Sequence, residues 1–285
     1  MKSGKKQRAV SIGVFDSGFG GINILRSMVK KLPDYNYVYL GDTARVPYGS
    51  RTDETIYEFT RQGMDFLFSQ GCEVIVIACN TASATALRKI QQEYLPKKHP
   101  NKKVLGVLIP AVESAGLETK NNRVGVIATE TTVRSNAFKI ELNKINSKIK
   151  VFQKACPLLV PIVESGEEKS KTTETILRNY LTPLLAKGID TLVLGCTHYG
   201  ILEKTIKKIV GPKVHVVSGA KIVPEKLKLY LKNHAEIEIK ISKESSVEFY
   251  STDLNNGFER LGGKFFGSKI KANKAVVVDN YLTIL

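Results

Sequence analysis

Residues 71–81, Gly71-Cys-Glu-Val-Ile-Val-Ile-Ala-Cys-Asn-Thr81, can be laid over residues 188–198, Gly188-Ile-Asp-Thr-Leu-Val-Leu-Gly-Cys-Thr-His198. Each copy opens on glycine, passes an acidic residue, runs through an apolar segment, meets a small residue and ends on cysteine with a polar pair. A short apolar run bounded in this way reads as a strand buried on both faces, which is what a parallel sheet covered by helices requires. A weaker echo joins Ile12-Gly-Val-Phe-Asp-Ser17 to Val124-Gly-Val-Ile-Ala-Thr129, at a comparable distance upstream of the two cysteines. The echoes predict two similar halves and place Cys79 and Cys196 at the same point of each.

The rest of the chain extends the pattern. Val10–Phe15 is followed by an amphipathic stretch at Gly21–Lys31, Tyr37–Leu40 by Thr52–Gln70, and Glu73–Ala78 by Thr85–Tyr94. The alternation resumes with Val104–Leu108, Arg123–Ile127, Val151–Lys154, a helix from about Lys171 to Lys187, and Thr191–Leu194. This is the rhythm of βαβ units. The expected fold class is α/β, with two pseudo-symmetric doubly wound α/β domains, mostly parallel sheets and an interdomain active-site cleft. The Pro- and Lys-rich segment Leu95–Lys103 reads as the crossing into the second domain and Gly211–Pro212 as the return. The expected division is therefore residues 1–98 plus 211–285 for a discontinuous first domain, and 99–210 for the second. The tail from Lys213, with strands at Val214–Val217, Val247–Tyr250 and Ala275–Val278 and a helix at Val223–Asn233, would complete the first.

Composition narrows the class. With 285 residues, 42% hydrophobic and 25% charged, the chain can bury two cores. No apolar stretch is long enough to span a bilayer, and the apolar part of the N-terminus meets Asp16 too soon for a secretory signal, so a cytoplasmic location is expected. Cys72, Cys79, Cys156 and Cys196 are widely spaced, which favours reduced thiols over disulfides. The net charge of +16 suits contact with nucleic acid. The lysines are scattered in short runs, however, without zinc-finger, homeodomain or RNP signatures, and a lysine-rich solvated surface explains them more simply.

In open α/β sheets ligands sit beyond the carboxyl ends of the strands, which is where both repeated cysteines fall. Cys72 and Cys156 suit the ordinary role of a small buried hydrophobe. Cys79 and Cys196 are each followed by hydrogen-bonding residues, Asn80–Thr81 and Thr197–His198, at the start of the next segment, where backbone N–H groups favour a thiolate and bind carboxylates. Asp16-Ser-Gly-Phe-Gly-Gly21 follows the first strand but lacks the ending of a phosphate-binding P-loop; a plain strand-to-helix turn would explain its glycines but does not need Asp16. Leu40-Gly-Asp-Thr-Ala-Arg-Val-Pro-Tyr-Gly49 follows the second strand, and its Pro47-Tyr-Gly49 turn would present N–H groups and a phenol at the same edge. His198 stands close enough to Cys196 to tune it or shuttle its proton. Glu164, in an apolar loop, reads equally well as a helix cap. No Cys or His pair has the spacing of a zinc site, so no metal is expected.

Two facing thiols suit one class of reaction. Inverting a carbon that bears an acidic proton takes a base on one face and an acid on the other, exchanging roles with direction. A thiol, with an ordinary pKa of about 8.5, can serve as either. Fixed N–H donors from the glycine-rich and Pro-Tyr-Gly turns would stabilise the carbanion.

Four segments, Asp16-Ser-Gly-Phe-Gly-Gly21, Gly41-Asp-Thr-Ala-Arg-Val-Pro-Tyr-Gly49, Ala78-Cys-Asn-Thr-Ala82 and Gly195-Cys-Thr-His-Tyr199, resemble the signature segments of bacterial glutamate racemases in order and spacing. The resemblance continues through Phe249-Tyr-Ser-Thr252 and covers nearly the whole chain. It implies racemisation of glutamate without pyridoxal phosphate, metal or any other cofactor, supplying D-glutamate for peptidoglycan. It also implies that Cys79 and Cys196 are the catalytic pair, assisted by Asp16 and His198 respectively. Ser17, Pro47, Tyr48, Gly49, Asn80, Thr81 and Thr197 would hold the substrate, with Glu164 near its amino group and Thr129 and Thr132 near the cleft. Homodimers are common in the family, so a homodimer is an expected assembly. One departure stands out, Gly200 where the family usually has proline after His-Tyr, which calls into question the turn behind Cys196. Three other readings stay open: aspartate racemase with the same thiol pair, a hydrolase built on Cys196 and His198, and a nucleic-acid-binding protein.

Overall fold

The structure is a computed structural model that describes residues 8–254, 256–278 and 281–284. Its strands are β1 (Ser11–Asp16), β2 (Tyr37–Gly41), β3 (Cys72–Ile77), β4 (Lys103–Gly106), β5 (Arg123–Ala128), β6 (Lys150–Ala155), β7 (Thr191–Gly195), β8 (His215–Ser218), β9 (Val247–Ser251), β10 (Ala272–Val278) and β11 (Tyr281–Ile284). They form a seven-stranded sheet, in the order β11-β10-β9-β2-β1-β3-β4, and a four-stranded sheet, in the order β6-β5-β7-β8. Every pairing is parallel except the β10–β11 hairpin.

The apolar runs behave as doubly covered strands. Ile12, Val14, Val74 and Val76 pack in one layer with Ile22, Leu25 and Met28 of the helix Gly21–Lys31. Phe15, Ile75 and Ile77 pack in the other with Ile56, Met64 and Leu67 of the helix Asp53–Ser69. In the second sheet Val124, Val126 and Val193 meet Leu108, Val112 and Leu142 on one face, while Ile127, Leu192 and Leu194 meet Leu177 and Leu181 of the helix Lys171–Leu185 on the other. One apolar cluster contains residues of both sheets, so the halves share a core.

The predicted duplication has a topological form. Read from the second strand of each half, the orders β2-β1-β3-β4 and β6-β5-β7-β8 are the same. The likeness reaches single atoms. A methyl group on Gly13 of β1 would lie 2.9 Å from Ile75 and 3.1 Å from Cys72, and one on Gly125 of β5 would lie 2.6 Å from Ile189 and 3.3 Å from Leu192. Cys72 and Ile75 occupy the positions of Ile189 and Leu192 when the two cysteine segments are superposed. Cys79 and Cys196 follow the corresponding strands β3 and β7, which lie two places along from β2 and β6 respectively.

The two expected crossings fall elsewhere. β4 pairs with β3 in the first sheet, so the chain passes over through Val107 and the helix Leu108–Glu118 rather than at residue 99. β8 pairs with β7 in the second sheet, so the return follows Ser218, through the helix Gly219–Asn233, rather than Gly211–Pro212. In both places Pro, Gly and Lys mark solvent exposure at a loop and carry no information about which sheet the next strand joins. The apolar run Pro157–Val163 contributes to the helix Leu159–Glu164. No helix among the described residues is long and apolar enough to cross a membrane.

Candidate active site

The carboxyl ends of both sheets open onto a cavity of about 300 Å³. Ser17, Pro47, Tyr48, Gly49, Cys79, Asn80 and Thr81 line it from the first half, and Thr129, Glu164, Cys196, Thr197 and His198 from the second. Three wider hollows, of about 820, 410 and 410 Å³, lie elsewhere and contain neither thiol.

All four cysteines are free thiols. Cys79 immediately precedes the helix Asn80–Thr85, and its Sγ donates to Ser17 Oγ at 3.4 Å. Burial pushes its thiol up to about 12; the negative charge of Asp16 adds to this, while Ser17 and the Ala82 N–H oppose it. The expectation that the helix start would favour a thiolate here is thus outweighed by desolvation. Asp16 is itself fully buried behind the cavity wall and is not part of the lining. Burial raises its pKa, opposed by the charge of His198 and by the Gly18 and Gly21 amides. Its carboxylate accepts from Gly18 N at 2.9 Å and, across the halves, from Thr197 Oγ1 at 3.4 Å.

Around Cys196 the surroundings differ. His198 Nδ1 lies 3.8 Å from Cys196 Sγ, and its Nε2 lies 3.0 Å from Glu164 Oε1. Burial works against an imidazolium, but hydrogen bonds to Cys196 and Glu164 overcome it and hold His198 up at about 10. Glu164, expected near a substrate amino group or as a helix cap, lines the cavity and gives one oxygen to His198. It ends the helix Leu159–Glu164 and does not cap the next one, whose N-cap is Ser170.

Two of the proposed binding residues have their hydroxyls engaged within the protein. The Tyr48 hydroxyl donates to buried Asp42, which also accepts from Arg45 Nε and from Thr252 Oγ1 at 2.9 Å. Its hydroxyl therefore braces the turn from behind, while Tyr48 still forms part of the cavity lining. Thr132 is completely buried behind the wall. Its hydroxyl closes a triangle with Thr81 and Thr129, with edges of 2.9, 3.0 and 3.3 Å, that joins the two halves.

Sequence reasoning missed Thr131, whose hydroxyl donates across the halves to Gly49 O at 2.9 Å. It also read Cys156 as plain core, whereas this cysteine lies in the cavity wall beside Pro157. Cys156 directly follows β6 as Cys196 directly follows β7, on the two sides of β5, and that repeated placement was the available signal. Gly200 does not loosen its turn through an unusual backbone; a side chain there would meet Asn23 Nδ2 at 3.0 Å, so Asn23 closes that side.

A two-half α/β protein with paired thiols in a shared cavity is the class defined by this geometry. Residues 12–226 match the model of the Asp/Glu/Hydantoin racemase family. The chain is 38% identical over 265 residues to the glutamate racemase of Geobacter metallireducens, covering 91% of this chain and 94% of that one. Among solved structures, a glutamate racemase isoform from Bacillus anthracis superposes with a TM-score of 0.86 at 31% identity, covering 96% of this chain and 100% of the other. The glutamate racemase of Francisella tularensis, solved with D-glutamate, gives 0.84 at 33% identity and covers 96% and 99%. The chain belongs to the Asp/Glu/Hydantoin racemase family, and these relatives within it are glutamate racemases.

Proposed function

We propose that this chain interconverts L- and D-glutamate by two-base proton transfer between Cys79 and Cys196, without a cofactor, and so supplies D-glutamate for peptidoglycan. The observation that carries the reading is the pair of thiols at corresponding strand ends, lining one cavity with opposite electrostatic surroundings. Cys196, beside the His198 imidazolium, acts as thiolate and takes the α-proton of one enantiomer. Cys79, kept protonated by burial and Asp16, gives its proton to the opposite face of the carbanion. The electron pair left on Cα by the first transfer forms the new C–H bond in the second, and the thiolate passes from Cys196 to Cys79. The other enantiomer runs the sequence backwards. Asn80, Thr81, Thr129 and Thr197 supply polar groups around the substrate carboxylates, and N–H donors there stabilise charge as it develops. A homodimer and a cytoplasmic setting belong to the same reading.

Incubating the purified protein with L-glutamate or L-aspartate in D₂O tests this directly. Deuterium should enter Cα as D-glutamate forms, faster than with aspartate. Cys79→Ala should lower racemisation by about a hundredfold to ten-thousandfold, because a general acid/base on one face would be gone. A Cys196–His198 hydrolase would survive that substitution, and preference for aspartate would transfer the assignment to aspartate racemase.

A further inference from the structure

Gly20 precedes the helix Gly21–Lys31 with φ −59° and ψ −34°, a right-handed conformation open to any residue. The backbone therefore does not call for glycine there, but the surroundings do. A methyl group built on Gly20 would sit 2.3 Å from Thr197 Oγ1, 2.6 Å from His198 Nδ1 and 2.9 Å from His198 Cε1. These side chains come from the other half, directly after Cys196, and Nδ1 is the nitrogen that reaches the Cys196 sulfur. Thr197 could yield by turning about χ1. The His198 ring has less freedom, being buried and tied at Nε2 to Glu164.

The constraint is local. A methyl on Gly18 would meet Val46 at 3.4 Å and Glu164 at 3.8 Å, which are ordinary contacts. At Gly21 the close neighbour is Asp16 Cβ, at 2.5 Å. The last two glycines of the Asp16–Gly21 segment thus make room for site side chains.

We propose that Gly20 is a positioning residue: its missing side chain forms the seat that holds His198 Nδ1 against Cys196. The kinetic part of the inference rests on the racemase reading, whereas its titration part does not. Three titratable groups face the imidazole: Asp16 from β1, Glu164 from the helix Leu159–Glu164, and Cys196 from its own turn. Displacing the ring lengthens its bonds to Cys196 and Glu164, and burial then favours the neutral imidazole.

The test is Gly20→Ala, read by ¹³Cε1 NMR titration of His198 in the folded protein and by steady-state kinetics. The wild-type ring should stay protonated to about pH 10. In the variant the midpoint should fall by about one pH unit or more, and kcat by about tenfold to a hundredfold, because small displacements of reacting groups have effects of that size. KM should change less than about threefold. Gly219→Ala, whose methyl meets only Ile24 at 3.5 Å, should leave both unchanged. Should Gly20→Ala fail to fold, Gly20→Ala/Thr197→Ala removes the closest clash and carries the test against Thr197→Ala alone, because the His198 contact remains. An unmoved His198 midpoint in a folded variant overturns the proposal, as does a double variant whose midpoint equals that of Thr197→Ala. A wild-type protein that exchanges no α-proton would sink the racemase reading while the titration still decided the seat.

Discussion

Where β1 carries Asp16, the corresponding position on β5 is Ala128, and where Thr81 stands two residues after Cys79, His198 stands two residues after Cys196. Two nearly equal strand ends thereby receive unequal charges, a carboxylate near Cys79 and an imidazole beside Cys196. A two-base reaction needs one thiol and one thiolate at a time, and that inequality favours such a state over two thiols or two thiolates. Glu164 sustains it through His198 Nε2. Glu164→Gln should therefore lower the His198 midpoint and draw the alkaline limb of kcat down by about one pH unit; pH–rate profiles of the two proteins check this. The sign for stability follows from the same raised value. His198 contributes fully below the ordinary imidazole value of 6.5, progressively less as pH rises, and nothing above about 10. Urea unfolding across that range should show the decline, and His198→Gln should remove it. Most of these residues were legible because the chemistry sits in short, chemically loud segments. Thr131 was not, since a threonine one place into a helix looks the same whether or not its hydroxyl crosses to another loop.

Among the elements, the central strands β1 and β5 show how the repeat is built. Each carries a glycine where the neighbouring segment of β3 or β7 presses closest, Gly13 under Cys72 and Ile75, and Gly125 under Ile189 and Leu192. Cys72, the first residue of β3, is thus a packing residue. Gly13→Ala and Gly125→Ala should each destabilise by about 1–3 kcal/mol through overpacking, measured as a lower urea midpoint with an unchanged slope. The loss at Gly125 should be partly recovered by Ile189→Val, which removes the Cδ1 atom lying 2.6 Å from the added methyl. Helices and strands were readable because buried β-branched runs and amphipathic stretches have different periods. The helix Leu159–Glu164 escaped because an apolar run containing Pro157 and Pro161 is too short to display either period.

For the molecule as a whole, the halves are joined by a shared apolar cluster and by polar ties around the cavity. Far along the chain, Lys264 of the helix Asn256–Phe266 reaches Glu168 at 2.7 Å, just beyond the segment that carries Glu164. The Glu168 side chain is only 10% exposed, and its other oxygen has no hydrogen-bond partner. Lys264→Met should cost about 1–2 kcal/mol because a largely buried carboxylate loses its cation, and adding Glu168→Gln should recover part of that; urea unfolding of the cycle decides it. The duplication was visible in the sequence but the crossings were not, because a four-residue strand such as β4 or β8 carries no mark of the sheet it will join. The common strand order of the two halves also bears on ancestry. A chain of half this length, associating with its own copy, could have offered two thiols to a single carbon, but identical subunits would have had to give both thiols the same surroundings. Within one polypeptide that obligation is absent, and the two halves differ here by an aspartate near one thiol and a histidine beside the other.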